Sequence, residues 1–141
     1  MREGLVGERP ARHRILIVDD EESTRLLLAR ILSTDLEAEV HLAGTCEQAI
    51  RLAHDYAYDA ILLDLVIPGV GGRAILKDIR SGPPNDATPV VVVSVLDESA
   101  TIKECMALGA NAYHKKPIRR DTLVQALREQ IAARRRTVAL R

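Results

Sequence analysis

Residues 15–22 read Ile15-Leu16-Ile17-Val18-Asp19-Asp20-Glu21-Glu22, four apolar side chains followed at once by four acids. A short unbroken apolar run bounded by charge is the mark of a strand buried on both faces, as in a parallel sheet. The period then changes. Leu27, Leu28, Ile31 and Leu32 recur at helical spacing and predict one apolar helix face. This strand-then-helix unit repeats along the chain. Ala60-Ile61-Leu62-Leu63 stops at Asp64, and Val90–Val93 runs into Ser94. Glu39-Val40-His41-Leu42-Ala43 instead alternates polar and apolar residues, which suits an edge strand. A short fifth strand falls near Ala112–His114, just before Lys115-Lys116-Pro117.

Helical patterns fill the gaps. Thr45-Cys46-Glu47-Gln48 reads as a capping box that opens a helix with Ala49, Ile50 and Ala53 inward. The loop Pro68–Gly72 leads into a helix carrying Ile75, Leu76 and Ile79. After the loop Ser81–Asp86 and the fourth strand, Ile102, Cys105 and Met106 mark another helix, with Gly109 as its carboxyl-terminal cap. Leu123, Leu127 and Ile131 line the last. Five such units predict one α/β domain with helices on both faces of a parallel sheet. The first, third and fourth strands, the most continuously apolar, belong at its centre.

Composition agrees. The chain has 141 residues, 47% of them hydrophobic and 28% charged, as one average globular domain would. No apolar stretch approaches the ~20 residues a membrane span needs. Residues 1–14 hold four Arg and two Glu and lack the apolar core of a secretory signal. Cys46 and Cys105 have no metal or redox spacing, and His13, His41, His54 and His114 are scattered. A cytoplasmic protein with neither zinc nor membrane is therefore expected. The zero net charge conceals −9 over residues 15–114 and +7 over 115–141. Arg134-Arg135-Arg136 and Arg141 read as a solvated helix end. Nucleic acid is disfavoured as a partner, since no recognition helix is present. Three Tyr without Phe or Trp also offer little for stacking on single strands. The expected division is an N-terminal extension (1–12), one domain (13–134) and a basic tail (135–141).

In such sheets, ligands bind at the carboxyl ends of the strands, near the point where strand order reverses. Asp19, Asp20, Asp64, Ser94 and Lys116 all fall there. Singly, each has a plain reading: a helix cap, a loop serine, a solvated lysine. Their coincidence at one sheet edge points to chemistry. Two carboxylates 4 Å apart repel by about 4 kcal/mol at an effective dielectric near 20. A cation is needed there, and an oxygen-rich site with few ligands suits Mg²⁺. With the Lys116 ammonium and the Ser94 hydroxyl added, the set describes a site for a transferring phosphoryl group with a carboxylate nucleophile.

Five pieces in this order, Ile15–Glu21, Asp59–Asp64, Ile67-Pro68 with Gly72, Pro89–Ser94 and Gly109–Pro117, resemble the receiver domain of two-component response regulators, the chemotaxis-regulator-like superfamily. The resemblance covers roughly residues 13–134. It implies a flavodoxin-like (βα)5 three-layer fold with strand order 2-1-3-4-5. It implies Asp64 as phosphoacceptor, Asp20 as a direct Mg²⁺ ligand, Asp19 as an acidic partner through water, and the Val66 main-chain carbonyl as a further ligand. Ser94 takes the place of the switch hydroxyl and Lys116 that of the lysine contacting the phosphoryl group. Pro117 is expected to follow a cis bond. Tyr113 matches the aromatic switch residue, though plain packing of a ring with a wet hydroxyl fits it as well.

The implied function is to take a phosphoryl group from a sensor histidine kinase or histidine phosphotransfer protein onto Asp64. The face made by the fourth helix, fifth strand and fifth helix would then switch. Its reader would be a downstream protein or an output domain missing from this chain, and the same face could support a homodimer. Such a protein catalyses its own phosphorylation and slow dephosphorylation, and is not a turnover enzyme on other substrates.

Some residues depart from the pattern. Val95 stands where relatives usually carry Ala or Gly, and its branched side chain narrows the path to Asp64. Val66 and Leu96 are apolar where some relatives place groups that orient the hydrolytic water, which predicts slow loss of phosphate. Ile118 replaces the usual Phe. Val95 is also the one support for an alternative, a phosphorylation-independent interaction module. A phosphatase with an aspartyl-phosphate intermediate is disfavoured because Asp64-Leu65-Val66 lacks the second acid. A flavodoxin is disfavoured because Asp19–Glu22 would repel the FMN phosphate.

Overall fold

Each apolar run becomes a strand in the computed structural model, which describes residues 12–139. Residues 1–11 of the expected extension, and Leu140 and Arg141 of the expected tail, lie outside the described residues. In chain order the elements are β1 (His13–Val18), α1 (Glu22–Asp35), β2 (Ala38–Ala43), α2 (Cys46–Asp55) and β3 (Ala60–Leu63). Then come α3 (Gly71–Arg80), β4 (Val90–Ser94), α4 (Ser99–Ala107), β5 (Ala112–Lys115) and α5 (Arg120–Ala139). All strand pairs are parallel and the sheet order is β2-β1-β3-β4-β5, as the resemblance implies. The alternating strand is at an edge and the three most apolar strands are central.

Alternate residues of the central strands feed two cores. Leu16, Val18, Ile61, Leu63, Val90 and Val92 pack beneath α2, α3 and α4. Ile15, Ile17, Leu62, Val91 and Val93 pack beneath α1 and α5, against Leu32, Leu123, Leu127 and Ile131. Two helix stripes are narrower than their spacing predicts. Leu27 is 58% exposed, because α1 lies against the β1–β2 edge and turns Leu28, Ala29, Ile31 and Leu32 inward. Met106 is 43% exposed, and α4 faces the sheet through Thr101 and Cys105 instead.

The predicted caps form. Thr45 accepts a hydrogen bond from the Gln48 amide at 3.1 Å, while Gln48 Oε1 accepts one from the Gly44 amide at 2.8 Å. Gly109, at φ 108°, closes α4 with paired bonds from its own amide to Met106 and from Ala110 to Cys105.

The lower edge of the sheet, at the amino ends of the strands, is tied by side chains bonding to main chain. Asn85 is 1% exposed and binds the carbonyls of Ala53 and Tyr56, the Tyr58 amide and the Thr88 hydroxyl. Arg80 reaches the carbonyls of Gly109 and Asn85 and the side chain of Asn111. Helix α5 continues through Arg134–Arg136. Arg134 donates to the Ala87 carbonyl, and Arg135 reaches back to the start of β1.

Candidate functional site

The upper edge collects the loops after all five strands. Because β1 and β3 are adjacent and in register, Val18 beside Leu63, the acids that end them emerge side by side. Asp19 and Asp64 are buried, at 2% and 6% exposure, and Asp20 is exposed. Ligand oxygens of the three lie within 4.8 Å of one another. At that spacing each charged pair repels by about 3–4 kcal/mol at an effective dielectric near 20.

Lys116 offsets part of this repulsion. Its Nζ donates to Asp19 Oδ2 and to Asp64 Oδ2, each at 2.7 Å. The Lys116 amide bonds the Ser94 carbonyl at 2.8 Å, continuing the β4–β5 ladder by one residue and aiming the chain at the acids. The Lys116–Pro117 bond is cis, as expected. Burial pushes the Asp64 carboxyl above the usual range, against the pull of Lys116 and of the Val66 amide 2.9 Å from its Oδ1. Burial works against the Lys116 charge too, but the bonds to Asp19 and Asp64 outweigh it and hold its pKa above the ordinary value. Asp19 Oδ1 accepts from the Glu21 amide at 2.9 Å, which fixes the turn into α1.

Three carboxylates with one ammonium leave a nominal charge of −2. All the donors are hard oxygens, which fits a divalent cation of the Mg²⁺ type. Among the described residues, this is the group of acid, His or Cys side chains placed to hold an ion.

The other expected residues surround this cluster. Ser94 is fully buried, and its Oγ accepts a bond from the Leu96 amide at 3.3 Å. The Tyr113 hydroxyl donates to the Leu96 carbonyl at 2.5 Å, and burial raises its pKa. Val66 and Val95 are exposed at the rim, at 48% and 58%. The Val66 amide donates to Asp64 Oδ1.

One contributor has no counterpart in the sequence pattern. Arg25, one turn into α1, donates to the Asp19 carbonyl at 2.7 Å. Its guanidinium lies over Gly44, where an added Cβ would meet Arg25 Nη1 at 2.6 Å. The available signal was an Arg one turn after the acids and a Gly just past β2. Gly72, which the sequence already singles out, is a closer approach: a Cβ there would lie 2.5 Å from Leu65 Cα and 2.6 Å from the Asp64 carbonyl oxygen. The loop after Asp64 can fold back onto the start of α3 only over a residue with no side chain.

Known proteins share this arrangement. The family model of the response regulator receiver domain matches residues 15–128. The response regulator GacA of Pseudomonas aeruginosa is 34% identical over 125 residues, 86% of this chain and 56% of that protein. The sensory/regulatory protein RpfC of Xanthomonas campestris is 33% identical over 116 residues, 81% of this chain but 16% of its own length. The chain therefore spans from about a sixth to about half of these relatives. Among solved structures, the receiver domain of a Pseudomonas aeruginosa PAO1 sensor histidine kinase superposes with TM-score 0.78. It is 27% identical, covers 85% of this chain and 98% of its own, and holds a magnesium ion in its active-site cleft. A CheY-like receiver protein of Methanospirillum hungatei JF-1, 22% identical, shares the fold at TM-score 0.83 over 88% of this chain and 97% of that one. With its matched residues, its strand order and its acidic upper edge, the chain belongs to the response regulator receiver domain family.

Proposed function

We propose that this chain accepts a phosphoryl group on Asp64 from the phosphohistidine of a kinase or phosphotransfer protein. The observation that carries the reading is the meeting of Asp64 with Asp19, Asp20 and Lys116 at one point of the upper edge. A carboxylate oxygen of Asp64 attacks phosphorus, the phosphorus–nitrogen bond of the donor breaks, and the imidazole leaves with that electron pair. Lys116 stays charged, and its ammonium neutralises a phosphoryl oxygen as negative charge is redistributed. The Ser94 hydroxyl exchanges its bond from Leu96 for one to the phosphoryl group. Asp20, Asp19, Asp64 and the Val66 carbonyl would hold Mg²⁺, which when bound neutralises phosphoryl oxygens in the same way. Arg25 keeps the Asp19 main chain in place.

Movement of Ser94 disturbs Leu96, and through it Tyr113, because both residues bond Leu96 main-chain groups. The α4–β5–α5 face is thereby coupled to the state of Asp64, and a downstream protein reads that face. This reading places the chain in the cytoplasm; among the described residues no helix is long and apolar enough to cross a membrane.

The test is intact mass after incubation with Mg²⁺ and acetyl phosphate, for wild type and Asp64→Ala. One Mg²⁺-dependent phosphoryl adduct in the wild type, absent from the variant, supports the reading. If the wild type gains none from acetyl phosphate or from a phosphorylated phosphotransfer domain, the reading fails.

A further inference from the structure

At the lower edge, opposite the acidic cluster, the end of α1, the start of β1 and the last turns of α5 enclose a cleft of about 460 Å³. An apolar recess of about 200 Å³ adjoins it, walled by Leu36, Ile131 and Ala132. Arg128, Arg135 and His13 border both spaces. The combined volume falls in the range of small-molecule sites.

The charges here are held by neutral acceptors, as those of Arg25 and Arg134 are, and not by carboxylates. Arg14, Arg119 and Arg120 each pair with a carboxylate. Arg128 and Arg135 are instead anchored by uncharged acceptors. Arg128 donates to the Asp35 carbonyl at 2.8 Å. Arg135 contacts His13 Nδ1 at 3.1 Å and the Arg12 carbonyl at 3.4 Å. Among the described residues neither guanidinium forms an ion pair. The two acids of the cleft are already engaged. Arg120 grips both carboxylate oxygens of Asp35, at 2.8 and 2.6 Å, and Glu37 stands 3.7 Å from Arg12.

Each guanidinium has five N–H donors, so most remain available in both. A guanidinium can only donate, so His13 Nδ1 must accept from Arg135, and the neutral ring carries its proton on Nε2 as a further donor. Two guanidinium forks and an imidazole N–H beside an apolar wall suit a phosphate group better than a single carboxylate.

We propose that this cleft binds a small phosphorylated ligand, with its phosphate on Arg128 and Arg135 and its apolar or planar body against Leu36, Ile131 and Ala132. The site is independent of the Asp64 chemistry. It would bridge α1, β1 and α5 at the end of the molecule farthest from the phosphoacceptor.

The test is a ¹H–¹⁵N NMR titration of the full chain with adenosine 5′-monophosphate, inorganic phosphate and adenosine as probes. Saturable shifts with the monophosphate at residues 12–14, 34–37 and 128–135 are expected, weaker ones with phosphate and none with adenosine. Arg128→Lys and Arg135→Lys keep the charge and the aliphatic stem but lose the fork. Each should weaken binding about tenfold without moving the thermal midpoint. No saturable shift with the monophosphate overturns the proposal, as do shifts centred instead on Asp19, Asp64 and Lys116. Adenosine binding as tightly as its monophosphate would remove the role of the arginines. Phosphate binding as tightly would remove that of the apolar wall.

Discussion

The Tyr113 hydroxyl, at the middle of β5, donates across to the main-chain carbonyl of Leu96 in the β4–α4 loop, 2.5 Å away. An edge strand thereby holds the loop that begins at Ser94. Lys115 grips the same loop through Asp97 at 2.8 Å, but both partners of that pair are exposed and such pairs contribute little. Tyr113→Phe should therefore release the loop at a cost of about 0.5–1.5 kcal/mol. Amide exchange at residues 95–98 should speed up while that of β1 and β3 stays unchanged. Unaltered exchange at 95–98 would show that the hydroxyl does not hold the loop.

Val66, Val95 and Leu96, each one or two residues past Asp64 or Ser94, are all apolar. A carboxylate placed there could orient a water for attack on the acyl phosphate, and a smaller side chain could admit donors. Leu96→Glu should shorten the half-life of phosphorylated protein, and Val95→Ala should hasten uptake from acetyl phosphate. Both are read by intact mass against time. An unchanged half-life in Leu96→Glu would refute a role for the apolar side chain at 96 in keeping the phosphoryl group.

A Cβ on Gly72 would run into the main chain of Asp64 and Leu65. In Gly72→Ala the added methyl has only backbone to displace, and neither the Leu65 Cα nor the Asp64 carbonyl can move without shifting Asp64. Destabilisation of about 2 kcal/mol or more is expected, with reduced phosphorylation of the protein that remains folded. Urea unfolding and intact mass separate the two effects.

Asn85 gives a prediction about stability alone. Its side-chain amide, in a residue only 1% exposed, satisfies four partners. Asn85→Ala leaves buried carbonyls and an amide without partners, which should cost at least about 3 kcal/mol, a large part of a typical domain's total. A loss below about 1 kcal/mol by denaturant unfolding would mean that water replaces the side chain.

His13 sets a pH dependence. Burial, aided by Arg135, lowers its pKa from the ordinary 6.5. The fold thus prefers the neutral ring. The stability this provides is fully present above about pH 6.5 and is lost as pH falls through the lowered folded value. Thermal midpoints measured from pH 8 downward should fall more steeply for wild type than for His13→Gln. Parallel curves would disprove the assignment.

Much of this architecture can be read directly from residue pattern. Unbroken runs such as Ile15–Val18 and Val90–Val93 mark central strands because only a strand covered on both faces tolerates such a run. The alternation of Glu39–Ala43 marks the edge for the converse reason. The acids were legible because four charges directly after a buried strand have no packing explanation. Arg25, Arg80 and Asn85 were not legible. Their partners are mostly main-chain carbonyls, near in sequence for Arg25 and far for Asn85, and a bond to a carbonyl leaves no trace in the partner's identity. The exposure of Leu27 and Met106 was hidden as well, since helical spacing sets which residues share a face but not how much of that face a neighbour covers.

The five helices are held to the sheet with unequal adhesion. Helix α3 buries Ile75, Leu76 and Ile79, and α5 buries Leu123, Val124, Leu127 and Ile131. Full burial of a large aliphatic side chain contributes about 1.5–3 kcal/mol. Helix α4 is nine residues long, and the residues it buries are Thr101 and Cys105. Lifting or sliding α4 therefore forfeits a small fraction of what the same displacement of α5 would. A single charge-assisted hydrogen bond gained beneath Ser94 is comparable with that grip. The sizes of two side chains thus make α4 an easier helix to displace than α3 or α5.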